Sequence, residues 1–186
     1  MKKIFYIIII TGVLVTSCKK QFLVKEPYGE LTSEQVILPD HIEHLIISAY
    51  SILNGQGNEA SNAYNSPASN WSFGDVTSDD AYKGGGGIGD QHQINQMEIF
   101  STNPQVLDIE QQWAVLYEGV GRANTAIAAL NKSKIDPGLK KERIAEMRFL
   151  RGHFYFMLKK IYNRIPYIDE NGKYLSNQQI TPTQVW

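Results

Sequence analysis

The chain has 186 residues and a formal net charge of −1, with 42% hydrophobic and 20% charged residues. That balance is globular: it excludes a disordered chain and supplies no basic surface for nucleic acid. A single cysteine excludes an internal disulfide and a cluster of zinc thiolates. Ten Tyr, seven Phe and three Trp are enough aromatics to ask which of them face a ligand instead of the core.

The first element is an address. Met1–Lys2–Lys3 is a positive n-region, and Ile4 to Val15 is apolar apart from Thr11 and Gly12. That run suits the h-region of a signal peptide, whereas a membrane-spanning helix needs ~20 residues. It ends at Val15–Thr16–Ser17–Cys18, which resembles the lipobox of bacterial lipoproteins. The resemblance implies cleavage before Cys18, a diacylglyceryl group on its thiol and an acylated amino end. The rival readings are an ordinary signal peptide with a chance cysteine, or a buried helix. Each buried methylene adds ~0.8 kcal/mol of membrane affinity, so two or three acyl chains anchor stably where one does not. Removing residues 1–17 takes two lysines and no acid, which leaves 169 residues with 16 basic and 19 acidic side chains, a formal charge of −3.

Residues 18–31 are polar, contain Pro27 and Gly29, and read as a lipidated tether. Thr32 and Gln35 have capping-box spacing, and Asp40 and Glu43 repeat it. Ile42, Leu45, Ile46, Ala49, Tyr50 and Leu53 then recur at three- and four-residue intervals, which predicts a helix over 40–54 with one buried face. Residues 55–107 show no comparable period and read as one long irregular loop with room for short helical turns. A loop of that length inside a compact domain is often functional.

Asp108 is placed to cap the next helix, whose inner face carries Trp113, Leu116, Tyr117, Val120, Asn124, Ile127 and Leu130. Asp136–Pro137 is an N-cap followed by Pro at the first helical position, and predicts a third helix from Pro137 to Tyr162. Its stripe is Ile144, Met147, Leu150, Phe154, Leu158 and Ile161. The short connection makes these two helices an antiparallel hairpin. Thr181–Pro182–Thr183–Gln184 reads as the start of a further helix, after which Val185 and Trp186 end the chain. The expectation is a mostly α-helical domain over 32–186 that is incomplete.

Several stretches resemble the N-terminal region of the SusD/RagB family of outer-membrane lipoproteins. These are Phe22–Leu23 and Pro27 after Cys18, then Gly74–Asp75–Val76 with Ser78–Asp79–Asp80–Ala81, then Trp113, Tyr117, Ala123–Asn124 and Ile127. The most specific is Glu146–Met147–Arg148–Phe149–Leu150–Arg151–Gly152–His153–Phe154–Tyr155–Phe156, followed by Leu158, Tyr162 and Pro166. It is similar to the family stretch E-A-R-F-L-R-A-x-x-Y-F-x-L…Y-G-x-x-P, with Met147 and Gly152 in place of Ala and Asn163 in place of Gly. Asn tolerates left-handed backbone, so it can stand in for that glycine.

The resemblance implies tetratricopeptide-like antiparallel helix pairs supporting an irregular sugar-binding part. It also implies a location on the outside of the outer membrane and a role beside a SusC-type TonB-dependent transporter. Glycan binding needs aromatic faces for sugar C–H surfaces and Asp or Asn for hydroxyls. The loop supplies Asn62, Tyr64, Asn65, Asn70, Trp71, Asp79, Asp80 and Tyr82, of which Trp71, Asp79, Asp80 and Tyr82 are the candidate ligand contacts. The bland alternative is that Trp71 and Phe73 merely pin the loop to the core.

Other chemistry is weakly supported. Gly84 to Gly87 follow Lys83, whereas a P-loop needs Gly-Lys-Ser/Thr after the glycines, so the run reads as a flexible turn. Asp75, Asp79 and Asp80 suit calcium by type, yet an EF-hand loop needs Gly where Asp80 stands, and no Glu closes it. His41 and His44 have ligand spacing without a third ligand, and read as exposed polar residues. Arg148 and Arg151 share a helix face and are expected to pair with acids. No Ser/His/Asp set stands out and no carboxylate pair is singled out for glycoside hydrolysis, so no cofactor is implied and a binding protein is expected rather than an enzyme. The rivals are a helical scaffold lipoprotein that binds proteins or peptides, and the non-catalytic start of a glycan hydrolase.

Overall fold

The computed structural model describes Thr32, residues 34–54, 71–172, 179–180 and Thr183. The signal peptide 1–17, Cys18, the tether 18–31, Asn62, Tyr64, Asn65, Asn70 and most of the final capping box lie outside the described residues. The chain divides into two compact units, Met1–Gln35 and Val36–Trp186. In the first, Thr32 and Gln35 form the expected capping box. The Thr32 amide donates to the Gln35 carboxamide oxygen at 2.8 Å, and the Gln35 amide donates to the Thr32 hydroxyl at 3.2 Å.

The frame of the second unit is three helices: α1 (Pro39–Ser51), α3 (Leu107–Lys132) and α4 (Pro137–Tyr162), with a short α2 (His92–Glu98) between the first two. α1 starts one residue earlier than expected, because Pro39 occupies the first turn, where its missing N–H costs nothing. Leu38 precedes it without a side-chain cap, so Asp40 does not cap; it lies in the first turn and acts only on the helix dipole. The last turn tightens into a 3₁₀ segment, Ile52–Asn54.

α4 has the expected bounds. The Asp136 carboxylate accepts from the Leu139 amide at 3.0 Å, which satisfies one of the free donors of its first turn. Asn163, just past its end, has φ 64° and ψ −67°, which is not the left-handed helical cap expected of it but the centre of a γ-turn, closed by the Arg164 amide on the Tyr162 carbonyl at 2.7 Å. The start of α3 differs from expectation. The helix begins at Leu107 with Val106 as an uncapped N-cap, and Asp108 lies inside the first turn, buried.

α3 and α4 are antiparallel: the Tyr162 hydroxyl at the end of α4 donates to the Ile109 carbonyl at the start of α3, at 2.5 Å. At the opposite end the Lys140 ammonium donates to the Ser133 carbonyl at 2.6 Å. α1 packs across this hairpin. Arg143 bonds Glu43 near its start, and Arg122 bonds the Ser48 carbonyl and the Ser51 hydroxyl near its end. One core fills the space between the three helices. It contains Ile42, Ile46 and Ile52, then Val115, Leu116, Val120, Ile127 and Leu130, then Met147, Leu150, Phe154 and Leu158. Phe154 lies so close over Gly119 that a Cβ there would stand 2.7 Å from the ring. Beyond α4, β1 (Ile165–Pro166) pairs antiparallel with β2 (Gln179–Ile180), Ile165 opposite Ile180.

Candidate functional site

The irregular region between α1 and α3 is folded where it is described. Trp71–Asp75 forms a single π turn that continues into a 3₁₀ turn, Val76–Ser78. Ser72 and Val76 are buried beneath it, and Trp71 and Phe73 are half-buried. The chain then reverses: the amides of Asp80 and Ala81 both donate to the Asp75 carbonyl, at 3.1 and 3.0 Å. Asp79 takes up the sharp turn with φ 65°. The reversal leaves Asp79, Asp80 and Tyr82 on one exposed stretch, with Tyr82 78% accessible. The Asp80 carboxylate accepts from the Ser78 hydroxyl at 3.1 Å. Of the four predicted contacts, three therefore lie on one exposed stretch, and Trp71, in the π turn before it, is half-buried.

Lys83 holds this segment in place, which sequence reasoning did not foresee. Its side chain is only 9% accessible, and its ammonium donates to the carbonyls of Gly87 and Asp90, at 3.0 and 2.5 Å. The Asp90 carboxylate in turn accepts from the Gly86 amide at 3.1 Å. The glycine run thus wraps around a lysine. Gly84 and Gly85 adopt φ of 71° and 80°, angles open to glycine at little cost. The Lys83 amide donates to the Glu98 carboxylate at 3.4 Å, which ties the segment to the end of α2. Beside that end, Ile99 and Phe100 are 61% and 72% exposed.

A second aromatic group has a structural role. The Tyr117 hydroxyl donates to the Pro166 carbonyl at 2.6 Å. The Tyr155 hydroxyl donates to the Ile168 carbonyl at 2.8 Å and accepts from the Ile168 amide at 2.7 Å. The Asn124 amide group adds a further bond to the Ile168 carbonyl at 3.0 Å. Trp113 packs between Tyr117 and Tyr162, at ring separations of 4.7 and 4.8 Å, and Tyr155 stacks on Tyr167 at 5.1 Å. Burial pushes the Tyr117, Tyr155 and Tyr162 phenols up, Tyr155 to about 12, so all three stay protonated donors at any physiological pH.

Arg148 and Arg151 find the acid expected of them in one residue, Glu170. Arg151 lies 2.5 Å from it and also donates to Asn124 at 2.7 Å; Arg148 lies at 3.7 Å. The Arg151 hydrogen bond holds the Glu170 carboxyl below the usual range. The residues that carried the family resemblance, Arg151 and Tyr155 above all, therefore fasten the chain after α4 onto the helix hairpin. His41 and His44 have ring centroids 6.2 Å apart, and among the described residues no group of three or more His, Cys, Asp or Glu is placed to hold a metal.

A mostly α-helical frame of antiparallel, tetratricopeptide-like helices, carrying an aromatic and acidic irregular segment, defines the class of protein. The chain belongs to the SusD-like family: the family model, described as starch-binding and associating with the outer membrane, matches residues 21–184. A comparison with curated proteins finds no match.

Proposed function

We propose that this protein is a lipid-anchored, outward-facing glycan-binding protein of the outer membrane that captures an oligosaccharide and delivers it to a SusC-type TonB-dependent transporter. The observation that carries the reading is the family match over residues 21–184, whose description names both starch binding and the outer membrane. The exposed stretch supports it chemically. Tyr82 offers a ring face to sugar C–H surfaces, and Asp79 and Asp80 beside it offer acceptors to hydroxyls. Trp71, half-buried in the preceding turn, is the fourth candidate contact. Cys18, in its lipobox, supplies the anchor. Among the described residues no helix is long and apolar enough to cross a membrane. Capture and release need modest affinity and a partner surface, and the protein is a binder, not an enzyme.

The test is titration of the full chain, in detergent, with linear maltooligosaccharides and a panel of other glycans. Binding without cleavage is expected, weakened at least tenfold by Tyr82→Ala and by the double change Asp79→Asn, Asp80→Asn. Binding that ignores both variants would move the site elsewhere; cleavage, or no binding to any glycan, would overturn the function. Copurification with a large β-barrel tests the transporter link. Loss of palmitate-analogue labelling in Cys18→Ala tests the anchor.

A further inference from the structure

We propose that the tip of the α3–α4 hairpin docks on the anionic headgroups of the membrane that holds the Cys18 anchor, an inference that rests on the anchored reading above. The tip, residues 131–141, contains Lys132, Lys134, Lys140 and Lys141 and a single acid, Asp136. That is four of the mature chain's 16 basic and one of its 19 acidic side chains, net +3, which leaves 12 and 18, net −6, for the rest. Positive charge is therefore concentrated at one end of the helix frame in a chain that is otherwise acidic. An anionic plane attracts that end and repels the remainder, which orients the molecule as well as holding it.

Three of the four cations have no partner inside the protein. Lys140 is half-buried, and its ammonium on the Ser133 carbonyl closes the turn. Lys132, Lys134 and Lys141 are exposed and make no ion pair among the described residues. The Asp136 carboxylate is turned to the Leu139 amide as the cap of α4. Leu139 itself is 40% exposed among these lysines. An apolar side chain ringed by ammonium groups suits the headgroup level, where the leucine enters the boundary and the lysines meet phosphates. The chain also enters its helix frame toward this end: Arg143, in the second turn of α4, bonds Glu43 near the start of α1. Val36, which opens the second unit, stands 18 residues after Cys18, a reach of at most ~60 Å. A later segment of the chain fits the tip less well. It would have to cover three unpaired ammonium groups, and a buried charge needs a partner. A plane of phosphates pairs them while they stay in water.

Cys18 is the sole cysteine and is acylated in the anchored protein, so a cysteine placed at the exposed Asn131 takes a single dye. Full-length Asn131→Cys, labelled with a fluorophore, is reconstituted in vesicles that carry a headgroup-linked nitroxide quencher. With about 30% phosphatidylglycerol in phosphatidylcholine, quenching should be roughly twice that in phosphatidylcholine alone, or more. About 1 M salt should remove the difference, because the Debye length falls to ~3 Å. Lys132→Gln, Lys134→Gln and Lys141→Gln together should remove it too, whereas arginine at the same three positions should keep it. All three positions are exposed, so circular dichroism should show the variants folded. Flotation with the phosphatidylcholine vesicles reads the anchor separately. A chain that floats but is quenched equally in both lipids, or whose quenching ignores the triple glutamine variant, would overturn the docking alone. A chain that does not float would overturn the anchored reading and the docking with it.

Discussion

Arg151 of α4 and Glu170, in the chain that follows β1, lie 2.5 Å apart with side chains only 12% and 11% exposed. The same guanidinium holds Asn124 of α3, whose amide group reaches the Ile168 carbonyl. Two helices and the returning chain therefore share one network. The two charges, Arg151 and Glu170, offset each other, which is the condition for burying an ion pair without large loss, while the second cation on Glu170, Arg148, is 60% exposed.

Removing one partner should be costly. Glu170→Gln leaves the Arg151 charge largely desolvated and is expected to lower stability by about 2–4 kcal/mol, read by urea unfolding at neutral pH. The sign with pH follows from the depressed Glu170 carboxyl. Its contribution is fully present above the ordinary Glu range and is lost as pH falls through the lower folded value. The gap between wild type and Glu170→Gln should therefore close in acid. Asp108 acts the other way: burial raises its carboxyl, so its neutral form is favoured on folding and its burial penalty grows as pH rises. A gap that stayed constant from neutral pH into acid would reject the assignment to Glu170.

Tyr155→Phe should release the chain after α4 without disturbing the helices. The substitution keeps the ring in the core but leaves the Ile168 amide without its acceptor, at a cost of about 1–3 kcal/mol. Hydrogen exchange at Ile168 should accelerate far more than exchange within α3. Equal acceleration in both would mean that Tyr155 supports the hairpin as a whole.

The parts of the fold legible in sequence are those set by local chemistry. Asp136–Pro137 and the apolar stripe behind it mark α4, because a cap and a 3.6-residue period act within a few residues. Asp108 misleads for the same reason. Its type suits a cap, but tertiary burial of Val106 and Asp108 starts α3 earlier. The tyrosine contacts span separations such as 49 residues between Tyr117 and Pro166, which no local pattern encodes. Lys83 is the clearest case at the candidate site. A lysine before four glycines reads as part of a flexible turn, and only the folded loop brings the Gly87 and Asp90 carbonyls to its ammonium.

Two glycines of α3 should respond to alanine in opposite senses. At Gly119 a Cβ would stand 2.7–2.8 Å from the Phe154 ring. Overpacking of that kind costs about 1–3 kcal/mol and outweighs the gain in helix propensity. At Gly121 a Cβ would meet nothing within 4 Å, so Gly121→Ala should gain about 0.5–1 kcal/mol from propensity alone. Thermal melts of the two variants in parallel decide the point. A destabilised Gly121→Ala would mean that this position also needs a close approach.

Lys83→Met tests whether the loop is built around its lysine. Met keeps the length and the apolar stem but removes the ammonium that bonds the Gly87 and Asp90 carbonyls. Two charge-assisted bonds are lost, each worth about 1.5–3 kcal/mol, but water replaces them once the loop opens, so the global cost should be nearer 1–2 kcal/mol. The local effect should be larger. Residues 84–90 lose their anchor, and limited proteolysis should cut there while α3 and α4 remain intact. On the proposal that Tyr82 meets the sugar, the variant should also weaken glycan binding, because Tyr82 precedes Lys83 directly. If the loop stayed resistant and binding stayed unchanged, the glycines alone would hold the turn, and Lys83 would have no part in presenting Tyr82.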